Sequence, residues 1–249
     1  MEAQPTAAYI IIGNEILSGR TKESNLCVLA EELNSIGIAL QEVRVIPDVV
    51  DAIVETVNAL RPKYDYIFTS GGIGPTHDDL TCESIAKAFD VPVVAHPEAW
   101  KLLETHYAAK DQPFTEGRQK MAKVPEGASL IPNALTLAPG FILGNVYVMA
   151  GVPAIFQSMV AEIKSVLRTG RVAISRSIIV NMKEGDIAGL LQDIQMEYPD
   201  VQIGSYPSFR EGERSVNVVL RGLDELRVNE ATAKVKTALR HLGGIISSA

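Results

Sequence analysis

Residues 64–89 read YDYIFTSGGIGPTHDDLTCESIAKAF, and this stretch decides the fold. Positions 64–70 are an apolar run of the kind that makes a buried strand. The turn Gly71-Gly72-Ile73-Gly74-Pro75 follows at once, and from Thr81 to Phe89 the apolar spacing becomes helical. A buried strand that turns through glycines into a helix implies parallel strands, right-handed crossovers and a sheet covered on both faces.

The flanking sequence repeats the alternation. Upstream lie an apolar run at 9–12 ending in Gly13, a helical pattern over 25–36 that stops at Gly37, a strand over 38–45 closed by Pro47, and a helix over 49–60. Downstream, 97–107 is helical with Trp100, Leu103 and Tyr107 on one stripe. Residues 110–123 are polar, carry Pro113 and Gly117, and read as a loop or lid. Strands are expected at 129–131, 140–143 and 145–149, the last two joined by a Gly-Asn turn, with a closing helix over 153–167. The reading is a doubly wound α/β domain over 1–168. From Thr169 the pattern changes to β-α-β-β-α, with strands at 177–182, 201–206 and 215–220 and helices at 186–197 and 225–242. A second, two-layer unit is expected over 169–249.

Charge follows the same division. The chain has 249 residues and a formal net charge of −7. Residues 1–168 hold 13 basic and 20 acidic side chains and 169–249 hold 10 of each, so the whole deficit lies in the first segment. A sequence-independent nucleic-acid binder needs a basic face to displace counterions, and that class is excluded. No run approaches 18 apolar residues, so no membrane span is expected. Residues 1–8 show neither the basic nor the apolar region of a signal peptide. Cys27 and Cys82 lie far apart in helical patterns and read as buried small hydrophobes. A cytoplasmic, reduced setting is the expectation.

Open parallel sheets bind ligands at the carboxyl ends of their strands. Three expected strands end in Gly13-Asn14-Glu15, in Pro47-Asp48 and in the run from Ser70 to Asp79. If they are adjacent, Glu15, Asp48, Asp78 and Asp79 share one rim. Glycine amides before a helix form an anion cradle, with a plain strand-to-helix turn as the alternative. One aspartate of the 78–79 pair could serve only as a helix cap, and so could Asp48. Paired carboxylates beside a phosphate cradle would repel the phosphate unless a divalent cation lay between them. His77 reads as a loop residue, since no paired nucleophile is visible.

The run 13–19, Gly-Asn-Glu-Ile-Leu-Ser-Gly, with Asn25 and the run from Thr69 to Thr81, resembles the molybdopterin-binding, MoaB/Mog-like domain family in its CinA-like branch. Lys120, Ala122, the Pro-Glu-Gly-Ala at 125–128, Asn133, Ala138-Pro139-Gly140-Phe141 and Gly151-Val152-Pro153 extend the match across 1–168. The tail is similar to the small KH-like domain that follows in CinA proteins. The nicotinamide-nucleotide amidase region is not in this sequence, and amidase activity is not expected.

The resemblance implies a three-layer, mostly parallel α/β fold for the first domain. It also implies a pterin or nucleotide diphosphate as partner, a homo-oligomer, and metal-dependent hydrolysis of an ADP-ribose-like or FAD pyrophosphate. It implies catalytic roles for Asp48 and Asp79, and Lys120 is expected to neutralise diphosphate charge from the lid. A divalent cation (Mg²⁺, Mn²⁺ or Co²⁺) would be held by Glu15, Asp78 and Asp79. Ligand contacts would come from Gly13, Asn25, Ser70, Gly71, Gly72, Gly74, Thr76, Pro139, Gly140, Gly151 and Pro153. Molybdopterin adenylylation and non-catalytic pterin or nucleotide binding are the other readings. The chain departs from the family pattern in having Glu23-Ser24 for an aspartate-threonine pair. Gln119 and Met121 stand where arginine and glutamine are usual, and Ile155 where a glutamate is usual. The Asn-x-x-Gly that precedes Ala-Pro-Gly in the family lacks its glycine. In the tail, Gly185-Asp186-Ile187-Ala188-Gly189 lacks the clamp of RNA-binding KH domains.

Overall fold

The computed structural model describes residues 4–210 and 213–247. The chain divides into two compact units, Met1–Gly170 and Arg171–Ala249.

The first unit runs β1 (Thr6–Ile12), α1 (Asn14–Leu17), α2 (Asn25–Ser35), β2 (Ala39–Ile46), α3 (Val50–Leu60), β3 (Tyr66–Ser70), α4 (Thr81–Phe89), β4 (Val93–Ala95), α5 (Pro97–Ala108), α6 (Glu116–Lys120), β5 (Lys123–Pro125), β6 (Ser129–Ile131), β7 (Gly140–Leu143), β8 (Val146–Met149) and α7 (Pro153–Ile163). The sheet order is β2-β1-β3-β8-β7-β6. The first four strands are parallel, and β7 runs antiparallel to both of its neighbours. Period-two alternation sends the two halves of β1 to opposite cores. Ala8, Ile10 and Ile12 pack with Ile53 and Val57 of α3 and Ile85 of α4, while Ala7, Tyr9 and Ile11 pack with Leu29 of α2 and Phe156 and Met159 of α7. Helices cover both faces, giving three layers. The parallel order places the ends of β2, β1 and β3 side by side.

The stretch 110–123 is not a plain loop or lid. It contains α6, and Lys123 opens β5, which pairs antiparallel with β4. Neither strand was expected from the sequence. The closing helix ends as α-helix at Ile163 and tightens into a 3₁₀ turn over Lys164–Val166. Cys27 is exposed, a correction to the buried reading, because α2 turns Leu29 and Leu33 inward and Cys27 outward. Cys82 is buried, and burial pushes its thiol up to about 12.

The second unit runs β9 (Ile174–Val180), α8 (Glu184–Glu197), β10 (Gln202–Arg210), β11 (Glu213–Gly222), α9 (Glu225–His241) and β12 (Ile246–Ser247). Its antiparallel sheet has the order β10-β11-β9-β12. One face packs on α8 and α9 through Ile178, Val218, Ile187, Val228 and Val235. The strands are longer than the sequence suggests, and β12 was not foreseen. Asp224 caps α9 by accepting from the amides of Leu226 and Arg227. Among the described residues no helix is long and apolar enough to cross a membrane.

Candidate functional site

The loop after β3 is shaped by close backbone approach. Gly71 has φ +101°, and a Cβ there would stand 2.1 Å from the Ile12 carbonyl oxygen. Gly72 has φ +67°, and a Cβ would meet Thr81 Oγ1 at 2.2 Å. Only glycine suits both demands. Thr81 then locks the turn: its hydroxyl donates to the Gly71 carbonyl at 2.9 Å and its amide to the Gly72 carbonyl at 3.0 Å. The amides of Gly72, Ile73 and Gly74 find no acceptor among the described residues, which leaves three donors ahead of the α4 N-terminus.

The acids gather beside this cradle. The Asp48 carboxylate accepts from the Asn14 amide at 2.7 Å, so it joins the end of β2 to the start of α1. Glu15 folds back until its carboxylate lies where a Cβ on Gly13 would sit, 2.6 Å away. Asp79 Oδ2 accepts from the Thr76 amide at 2.8 Å and lies 2.5 Å from the Thr76 hydroxyl, while Asp78 Oδ1 lies 2.6 Å from that hydroxyl. The hydroxyl carries one proton and serves one carboxylate at a time. Its bond holds Asp78 below the usual carboxylate range, with smaller help from the Asp78 backbone and from the charges of His77 and Lys120.

Beneath the loop the Tyr9 phenol and the Ser70 hydroxyl pair at 2.5 Å, and burial raises the phenol well above its ordinary value. Asn25 Nδ2 donates to the Gly151 carbonyl at 2.9 Å, drawing in a segment whose Gly151 approaches Gly71 so closely that a Cβ would lie 3.3 Å from its Cα. The Asn25 Oδ1 atom and Thr69 Oγ1 are buried without a partner.

These parts enclose one cavity of about 580 Å³. Glu15, Asp48, Gly71, Gly72, Gly74, Thr76, Asp78, Asp79, Gly151 and Pro153 line it. Other residues expected at the site do not. Ser70 and Asn25 are buried beneath it. Gly13 is covered by Glu15, and Gly140 lies inside the sheet, where a Cβ would strike the Val148 carbonyl at 2.4 Å. Pro139 and Lys120 border an adjoining cleft of about 20 Å³ that shares Gly72, Gly74 and Asp79 with this cavity. The Lys120 ammonium, expected to face a diphosphate, instead donates to the Thr76 and Asp79 carbonyls at 3.0 and 2.6 Å.

The far wall comprises Tyr107, Met121, Ala138, Val152 and Ile155, with Ile73 between the walls. Of these, Met121 and Ile155 are departures from the family pattern and Ala138 and Val152 belong to the matched motifs, whereas Tyr107 reads only as a core stripe. The Tyr107 ring is flanked by Phe114 at 6.1 Å and the Arg118 guanidinium at 4.0 Å. Thr21 also reaches the cavity, from an exposed loop with no distinguishing motif of its own. Among the described residues no three His, Cys, Asp or Glu side chains converge as a preformed metal-binding group.

Comparisons with known proteins agree with this architecture. Residues 8–169 match the family described as "Probable molybdopterin binding domain", and residues 173–243 match "FAD synthase, middle domain". A protein of Pyrobaculum calidifontis is 32% identical over 253 residues, spanning 98% of this chain and 97% of its own length. One of Archaeoglobus fulgidus is 34% identical over 230 residues, spanning 92% and 96%. Among solved structures, CinA of Thermoplasma acidophilum, described as of unknown function, is 30% identical with a TM-score of 0.61, covering 65% of this chain and 97% of its own. The chain belongs to the molybdopterin-binding-domain family, CinA-like in its first unit, and carries an FAD-synthase-middle-type domain in its second.

Proposed function

We propose that the protein hydrolyses a nucleotide pyrophosphate of the ADP-ribose or FAD kind with the help of a divalent cation. The observation that carries this reading is the juxtaposition on one cavity of three unpaired amides and four carboxylates. Amides aimed at phosphate oxygens bind the diphosphate and stabilise charge that grows on it as water adds to phosphorus and the bridging P–O bond breaks. Carboxylates alone would oppose that anion.

The donor set suits a cation that takes one or two protein carboxylates and completes its shell with phosphate oxygens, as Mg²⁺ does. Asp78 and Asp79 would hold it, with Glu15 adjacent. When bound, such an ion neutralises the diphosphate and supplies an activated water. Asp48 orients the start of α1, and Asp79 orders the loop through the Thr76 amide. The match of the second unit to the middle domain of FAD synthase favours a dinucleotide such as FAD.

The test is incubation with ADP-ribose or FAD and Mg²⁺, Mn²⁺ or Co²⁺, with AMP followed by chromatography. Release of AMP is expected, and Asp79→Ala should lower it by roughly 100-fold or more. Absence of AMP with every metal overturns the reading. The family description supports a second one, molybdopterin or nucleotide binding, with or without adenylyl transfer. Calorimetric binding of a nucleotide diphosphate without turnover would favour it.

A further inference from the structure

Three features converge on the back of the acidic loop. The Lys120 ammonium donates to the carbonyls of Thr76 and Asp79 and lies 3.7 Å from the Glu83 carboxylate. Two of the ammonium's three N–H donors are taken by these carbonyls, and Glu83 adds an ion pair without a hydrogen bond. The α6 backbone lies against the same loop, since a Cβ on Gly117 would stand 3.0 Å from the Pro75 carbonyl oxygen. Lys120 lines not the main cavity but an adjoining cleft of about 20 Å³ that shares Asp79 with it.

The loop needs such a brace. It precedes α4, so the Asp79 carbonyl lies outside the helical ladder, and the Asp79 amide reaches the Thr76 carbonyl only at 3.4 Å. A backbone carbonyl left without a partner beside two carboxylates would move.

We infer that Lys120 is a positioning residue: a tethered cation that holds the Thr76 and Asp79 carbonyls and so aims Thr76, Asp78 and Asp79 into the cavity. It does not contact the ligand's phosphates. Its importance for turnover rests on the hydrolase reading above, whereas the brace itself does not. The segment 110–123 is then an anchor for the loop.

The experiment compares hydrogen exchange of the full chain and its Lys120→Met variant over peptides spanning 75–80. Exchange there is expected to quicken by about tenfold or more in the variant, because a charge-assisted bond is lost. Peptides of β1 and β3 should keep native rates. Methylammonium added to Lys120→Ala should restore protection. Where AMP release is present, kcat should fall in Lys120→Met with KM little changed, whereas a phosphate-binding lysine would raise KM. Native exchange over 75–80 in Lys120→Met, or a rise in KM alone, overturns the inference. Should the Met variant fail to fold, Lys120→Gln is measured instead. Exchange faster than native but slower than in Lys120→Ala is expected, and native exchange overturns the inference equally. A native chain without AMP release sinks the hydrolase reading and leaves the exchange result to decide Lys120's role.

Discussion

The two walls of the cavity are built from different material. On one side stand backbone amides and carboxylates at the ends of β1, β2 and β3, spaced by the parallel sheet itself. On the other stand side chains of Tyr107, Met121, Val152 and Ile155, brought in by α5, the end of α6 and the start of α7. On the proposed reading the first wall takes the part every nucleotide diphosphate shares, the phosphates. The second adds apolar surface, with Asn133 and Thr136 also lining the cavity, and on the same reading it takes the part in which such ligands differ. The contrast separates chemistry from selectivity, and substitutions on each wall should fail in different ways.

The largest effect belongs to the backbone wall. Gly71→Ala forces a Cβ to 2.1 Å from the Ile12 carbonyl at a φ of +101°. A loss of at least about 3 kcal/mol in urea denaturation is expected, because strain and overlap coincide. A stability within about 0.5 kcal/mol of native would mean that the loop can reach an ordinary conformation and that the cradle is not rigid.

The unequal legibility of the two walls in the sequence has a physical origin. Glycines with positive φ leave a local trace, because the chain cannot adopt the turn without them, and the acids follow at fixed offsets. Strand order then carries them to one rim. The far wall depends on where α5 and α6 dock, and that is settled by packing among Trp100, Phe114, Tyr107 and Leu103, residues that look like any amphipathic stripe. Lys120 misled for a related reason. Its position in a polar segment suggests a free cation, and only the fold reveals that it bonds two backbone carbonyls and pairs with Glu83. Ser70 directly precedes the loop, yet the pleat turns it inward to Tyr9, and Asn25 faces inward from the first turn of α2.

The buried Tyr9–Ser70 pair supports the backbone wall from below and gives an intermediate effect. Tyr9→Phe leaves the Ser70 hydroxyl without its partner, and a loss of about 1–3 kcal/mol near neutral pH is expected. The pH dependence has a definite sign. Burial raises the Tyr9 phenol above its unfolded value, so its contribution is complete below pH about 10 and declines as pH rises from there toward the folded value. Cys82, with its thiol pushed up to about 12, declines in the same sense in both proteins. Stability measured between pH 9 and 12 should therefore fall more steeply in the native chain than in Tyr9→Phe. Parallel curves would show that the phenol is not buried in solution.

The smallest effect tests the far wall alone. Met121 presents a thioether to the cavity and packs in the α5–α6 cluster without a polar partner. A flat ring system such as a flavin loses little by lying against it, whereas a ribose would leave hydroxyls unpaired there. Met121→Gln keeps the length of the side chain and adds a donor and an acceptor. The ratio of kcat/KM for FAD to that for ADP-ribose is therefore expected to fall by about tenfold, the scale of one gained or lost polar contact at a binding wall. The rate on the preferred substrate should change less than it does in Asp79→Ala, because the amides and carboxylates are untouched. An unchanged ratio would assign substrate choice elsewhere and leave the apolar wall as packing for α5 and α6. A loss of both rates in equal measure would show that the walls are coupled, and that division of labour between them would be wrong.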